Sequence, residues 1–100
     1  MYAFTSTGLW LPNGPVTIGA HGGIYGTAAQ YGANNANGGV FNLTPTSSGY
    51  IESAVHLFTG SPNDGNSPNG GLLLDPNRQA LYGTTYWGGN GIGTVFQLGV

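Results

Sequence analysis

The chain has 100 residues, a formal net charge of −2 and only four charged side chains, Glu52, Asp64, Asp75 and Arg78, with no lysine. Nucleic acid and anionic membrane are excluded as partners on this composition, since both require clustered Lys and Arg, and no long apolar run offers membrane insertion. Twenty glycines and six prolines among many Asn, Thr and Ser, with twelve aromatics and no cysteine, predict a packed all-β fold of short strands and tight turns, without a disulfide framework or a thiolate metal site.

In chain order, a leading strand is expected at 1–5, then strands at 16–18, 23–28, 39–43 and 51–59, followed by 72–75, 80–85 and 93–98. Met1-Tyr2-Ala3-Phe4 lacks the basic start and apolar core of a secretory leader. Pro12-Asn13-Gly14-Pro15 and Pro68-Asn69-Gly70-Gly71 read as turns, and Pro45 and Pro62 as strand ends. Asn37-Gly38 and Asn90-Gly91 carry the chemistry of tight hairpins, where a positive φ is needed, so the strands on either side are expected to be antiparallel neighbours.

These segments fall into two copies of one unit. Ile24-Tyr25-Gly26-Thr27 leading to Gly39-Val40-Phe41-Asn42-Leu43 is written again as Leu81-Tyr82-Gly83-Thr84-Thr85 leading to Gly93-Thr94-Val95-Phe96-Gln97-Leu98. Val16-Thr17-Ile18 matches Leu72-Leu73-Leu74, and Phe4-Thr5 matches Phe58-Thr59. Four antiparallel strands in ~40–50 residues are one propeller blade. Runs such as Leu72-Leu73-Leu74 and the adjacent pair Val40-Phe41 are apolar on both faces, as a sheet held between neighbouring sheets requires.

The expectation is therefore two four-stranded antiparallel β-propeller blades in one module, blade one at 16–59 and blade two at 72–98. By phase, residues 1–5 correspond to a fourth strand and the second unit lacks one, so 1–5 of one copy is expected to complete blade two of another. Rings close at typically ~4–8 blades. The sequence thus predicts a head-to-tail homo-oligomer, six blades as a trimer in preference to eight as a tetramer.

Leu81-Tyr82-Gly83-Thr84-Thr85, Gly88-Gly89-Asn90-Gly91, Gly93-Thr94-Val95-Phe96 and Leu98, with Leu57-Phe58, Asp64-Gly65, Pro68, Gly71-Leu72 and Asp75, resemble the GloVer-type tandem repeat of bacterial surface proteins. The first unit follows it more loosely, with Ala28 and Ala29 where the second has Thr85 and Tyr86. The resemblance implies an exported or cell-surface repeat protein, extracellular and propeller-like, and carries no catalytic motif.

Catalytic chemistry finds little purchase. His21 and His56 stand at non-equivalent repeat positions, one in a turn and one in a strand, and read as packing or surface residues. Gly88-Gly89-Asn90-Gly91-Ile92-Gly93 joins two strands instead of opening a helix, which argues against a dinucleotide loop. Asn63-Asp64-Gly65-Asn66 offers a single carboxylate where calcium wants six to eight oxygens, and it reads as a turn. No enzyme, cofactor or metal site is expected.

A carbohydrate site is the alternative to a pure scaffold. Trp87 and Tyr86, with Tyr31 at a nearby place in the first unit and Asn90 or Gln30 as amide partners, have the ring faces and hydrogen-bonding groups that suit a sugar. The competing reading is that these rings fill gaps between blades.

Overall fold

The computed structural model describes residues 2–5, 8–31 and 37–100, with Tyr31 in its backbone only. The fold is all-β and antiparallel, with no α-helix among the described residues. In the first sheet β3 (Ile24–Tyr31), β4 (Gly39–Thr46) and β5 (Gly49–Leu57) lie in order. β1 (Leu9–Pro12) and β2 (Thr17–Ile18) share the remaining edge of β3. In the second sheet β8 (Ala80–Gly88) is central, β6 (Gly65–Pro68) and β7 (Leu73–Asp75) share one edge of it, and β9 (Thr94–Gly99) takes the other.

The four strands of the second sheet, β6 to β9, repeat β1 to β4 of the five-stranded first sheet, and β5 has no counterpart among the described residues. Gly26 stands opposite Phe41 as Gly83 stands opposite Phe96, and Pro12 opposite Ala28 as Pro68 opposite Thr85. The equivalence extends to backbone conformation: Leu11 and Ser67 both have left-handed φ, 57° and 55°. Such a φ is uncommon for any residue but glycine, so its recurrence marks a bend belonging to the repeat. Each glycine opposite a phenylalanine is required by close approach, because a Cβ at Gly26 or at Gly83 would come within 2.5 Å of the ring tip of Phe41 or Phe96.

Both sheets begin further upstream than 16 and 72, at β1 and β6, in segments for which the sequence predicts no strand. Leu9-Trp10-Leu11-Pro12 and Gly65-Asn66-Ser67-Pro68 have different polarity, each ends in proline, and each bends at its third residue. They are strands because the C-terminal halves of β3 and β8 offer them a ladder. Pro45 lies inside β4, and the chain reverses one residue later at Thr46–Gly49. Gly38 has the positive φ expected of its turn, 75°.

The sheets meet face to face. Val40 from the first packs with Leu72, Leu81 and Phe58, and Tyr25, Val55, Leu74, Phe96 and Leu98 border that cluster. Burying each large apolar side chain there contributes roughly 1.5–3 kcal/mol. The opposite face of the first sheet carries a second cluster, Leu9, Ala28, Phe41 and Leu43, over which Tyr2 and Phe4 lie.

Those two residues belong to the segment expected to complete a blade of another copy. Residues 2–5 form no strand, and Met1 lies outside the described residues. Phe4 instead turns onto Phe41 of its own unit, the ring centroids 5.0 Å apart and steeply tilted at 69°, with Tyr2 edge-on at 5.2 Å. Phe58 meets Phe96 at 5.2 Å and 66°, with His56 edge-on at 4.8 Å. The triads Tyr2-Phe4-Phe41 and His56-Phe58-Phe96 are the same device used twice. A segment with no neighbouring strand to bond follows its apolar side chain instead, and the phenylalanine finds the ring its repeat position dictates.

Candidate functional site

Three places combine polar chemistry with a defined geometry. The first is the end of β8, where the chain leaves the sheet for the glycine loop. The Thr85 hydroxyl donates to the Trp87 carbonyl (2.8 Å) and accepts from the Thr94 amide (3.1 Å). Its single hydrogen being used, the hydroxyl of Thr94 is the donor in the 2.6 Å contact between the two. Gly88 then turns the chain at φ 102°, hard against the Asp64 carbonyl and Gly65. The backbone carrying Tyr86 and Trp87 is therefore held from both sides, although their side chains are 58% and 50% exposed. Their rings touch, with centroids 4.9 Å apart and planes at 58°.

Beside them the two sheets leave a cleft of about 280 Å³. Asn13 and Ala29 line it from the first sheet, and Ser67, Pro68 and Asn69 from the second, with Tyr86 and Trp87. Its width is set by contacts across the sheets: the Asn13 amide reaches the Pro68 carbonyl and the Asn69 side chain, each at 3.4 Å, and the Thr27 hydroxyl lies 2.6 Å from the Asn13 carbonyl and 3.1 Å from that of Gly70. No charged residue lines it.

Of the residues named from the sequence for this role, the structure brings Tyr86 and Trp87 together. Gln30 lies on β3 opposite Trp10, in the other sheet. Asn90 is exposed in the turn after Gly88, away from the cleft lining. The side chain of Tyr31 lies outside the described residues. Asn13, Ser67 and Asn69 take the amide and hydroxyl places. Asn13 and Asn69 sit in stretches that read as turn punctuation, though the match of Pro12-Asn13-Gly14 with Pro68-Asn69-Gly70 is a signal that the two turns are neighbours, and Ser67 lies in a strand the sequence does not predict.

The second place is Asp64. Its Oδ2 accepts from His56 Nε2 (2.8 Å) and from the Thr59 amide (3.1 Å), while Oδ1 accepts from the Gly65 amide (2.8 Å). Burial raises the carboxyl's pKa, yet the hydrogen bonds from His56, Gly65 and Thr59 outweigh it and hold the group below the usual carboxylate range. His56 thus does meet a carboxylate, eight residues downstream, but the geometry is that of a clasp between the end of β5 and the start of β6. Asp64 spends its oxygens on protein donors, and the segment expected to be a turn is one only in its first half: Asn63 and Asp64 lie in the bend before β6, while Gly65 and Asn66 pair with Gly88 and Trp87. His21 is exposed in the short 3-10 turn between β2 and β3, at φ 61°.

The third is Glu52 on β5, which accepts from the Tyr2 hydroxyl (2.7 Å) and the Leu9 amide (3.1 Å). The bond to Glu52 keeps the Tyr2 phenol protonated above its ordinary range, with burial and the carboxylate's charge acting in the same direction. Among the described residues no three His, Asp or Glu side chains converge as metal ligands, and no helix is long and apolar enough to cross a membrane.

The broadest feature is two uncovered apolar faces at equivalent places. Val40 is fully buried under the second sheet, whereas its counterpart Val95 is 81% exposed on that sheet's outer face. Leu72 is 9% exposed in the shared core, whereas its counterpart Val16 is 56% exposed. Ile18, paired with Ile24 and so on the same face of the first sheet, is 69% exposed. The outer edge of β9 also carries no strand among the described residues, where β4 is covered by β5 along its whole length. No family model, no curated protein and no solved structure matches the chain.

Proposed function

We propose that the chain is a non-enzymatic scaffold: a pair of propeller blades that completes a ring with further copies of itself, three chains and six blades. The observation that carries the reading is the contrast between Val40 and Val95. Within the chain, the Val40 face of one sheet receives Leu72, Leu81 and Phe96 of the next. The Val95 face is the same surface one unit further on, and Val16, Ile24 and Phe41 are the same residues one unit back. Docking the second sheet of one copy on the first sheet of another repeats an interface the fold has already built. Such a contact is heterologous, so it closes into a ring when the rotation suits.

The GloVer-type resemblance of the repeat belongs with this reading, and from it comes the proposed setting at or outside the cell surface. The role of residues 1–5 is narrower than a whole donated strand. Their match to 55–59 sets Tyr2 and Ala3 at the end of a fourth strand and Phe4 inside its own unit, so the sheet face is the main element of the contact.

Light scattering on the purified chain tests the proposal. Three times the chain mass for the native sequence, falling to one with Val95→Asp, is expected. A folded monomer at every concentration sinks it.

A further inference from the structure

We infer that the cleft beside β8 binds one neutral pyranose, stacked on Trp87 and Tyr86 and hydrogen-bonded by Asn13, Asn69 and Ser67. This is a separate activity from assembly, and it rests on different residues. Three observations converge on it.

Among the described aromatic side chains only Tyr86 and Trp87 are exposed, and the pair is not loose: the Thr85 and Thr94 hydroxyls fix the backbone on which it stands. Two large rings held rigid at a solvent boundary stabilise little in the fold itself and leave their faces for a ligand. The equivalent place in the first sheet is occupied by Ala29, so the rings are not required by the repeat geometry. Ala29 instead forms part of the opposite wall and keeps the cleft open.

The polar lining matches the aromatic one in character. Asn13 and Asn69 bring carboxamides from two different sheets to the same rim, and Ser67 adds a hydroxyl that donates to Asn66 (2.7 Å) and has acceptor capacity beyond it. Amides can donate to and accept from adjacent hydroxyl groups, while a pyranose presents an apolar face of C–H bonds to a ring. With no charged residue in the lining, an ionic ligand would lose its hydration with nothing in exchange, which selects neutral sugars. A cleft of about 280 Å³ has room for a single ring against the aromatic pair, so recognition is of one residue, whose neighbours in a longer chain would lie in solvent.

The test is titration of the native protein with methyl glycosides of glucose, galactose, mannose and N-acetylglucosamine, with oligosaccharides ending in the same residues and with a uronic acid, followed by amide and indole NMR shifts. Saturable binding of at least one neutral glycoside is expected, with shifts centred on the Trp87 indole, Tyr86, Asn13 and Asn69. Trp87→Ala and Tyr86→Ala should each weaken it about tenfold or more, and Asn69→Ala severalfold, with the solution mass unchanged. A monosaccharide glycoside should bind within a fewfold of the oligosaccharide that ends in it. The inference is overturned by no saturable binding across the panel, by tighter binding of the uronic acid, or by binding only of oligosaccharides. It is equally overturned if Trp87→Ala leaves affinity intact, or if that variant changes the mass, which would assign the ring to an interface between copies.

Discussion

The first sheet is covered on one face by the second sheet and over part of the other by Tyr2 and Phe4, with Val16 and Ile18 left bare, and the second sheet is covered on one face alone, although both are built from the same phrase. In the first, Val40 lies under the second sheet, Phe41 lies under Phe4, and β5 closes the edge of β4. In the second, Phe96 lies under Phe58, but Val95 faces outward and the edge of β9 is bare among the described residues. Equivalent residues therefore differ in environment only because of what lies beyond them. A repeat unit of this kind does not define its own core: each sheet supplies one wall, and the neighbour supplies the other.

This comparison can be broken most forcefully at its valines. Val40→Asp places an unpaired charge in the shared core, which costs several kcal/mol against the ~5–15 kcal/mol that hold a small domain together, and urea melts should show it largely unfolded. The same substitution at Val95 should move the monomer's stability by no more than about 0.5 kcal/mol. If the two variants lose equal stability, the second sheet is covered in a way this structure does not contain.

The phenylalanines give the next effect. Phe58→Ala removes a fully buried ring between the sheets and should cost ~3–5 kcal/mol. Phe4→Ala removes a half-buried ring from the same repeat position and should cost ~1–2 kcal/mol, both read by chemical denaturation. At the glycines the units should agree. Ala at Gly26 or at Gly83 drives a methyl into the facing ring and should cost ~1–3 kcal/mol in either sheet, so a large difference between the two would contradict the superposition.

A small effect is expected at Asp64, whose place in the first unit, just before β1, is held by Gly8. Its folded pKa lies below the ordinary carboxylate value of ~3.9, so its contribution is complete above that value and disappears as the pH falls through the lowered one. Asp64→Asn should cost about 1 kcal/mol at neutral pH and nothing below the lowered value, which acid-limb stability curves would show. An unchanged difference at both ends would remove the clasp from the account.

The legible and illegible parts of this chain follow from the same comparison. The pairing of β3 with β4 and of β8 with β9 could be read because Gly26-Phe41 and Gly83-Phe96 impose a local pattern twice. β1 and β6 could not, since Leu9–Pro12 and Gly65–Pro68 share almost no residue types and become strands only on the ladders of β3 and β8. Tyr86 and Trp87 are legible as an aromatic pair where a strand runs into a glycine loop, and the structure adds their exposure. Asn13 and Asn69 did not, because their meeting depends on how one sheet sits against the other, which no spacing within a unit records.

The most direct test of head-to-tail docking uses the absence of cysteine from the sequence. Val16 and Val95 are the exposed counterparts of Leu72 and Val40, which share the core between the sheets. A chain carrying both Val16→Cys and Val95→Cys, oxidised and run on a denaturing gel, should cross-link into a covalent ladder ending at three chains, whereas either single variant should stay monomeric. Dimers of equal yield from the single variants, or no cross-link from the double one, would contradict the account.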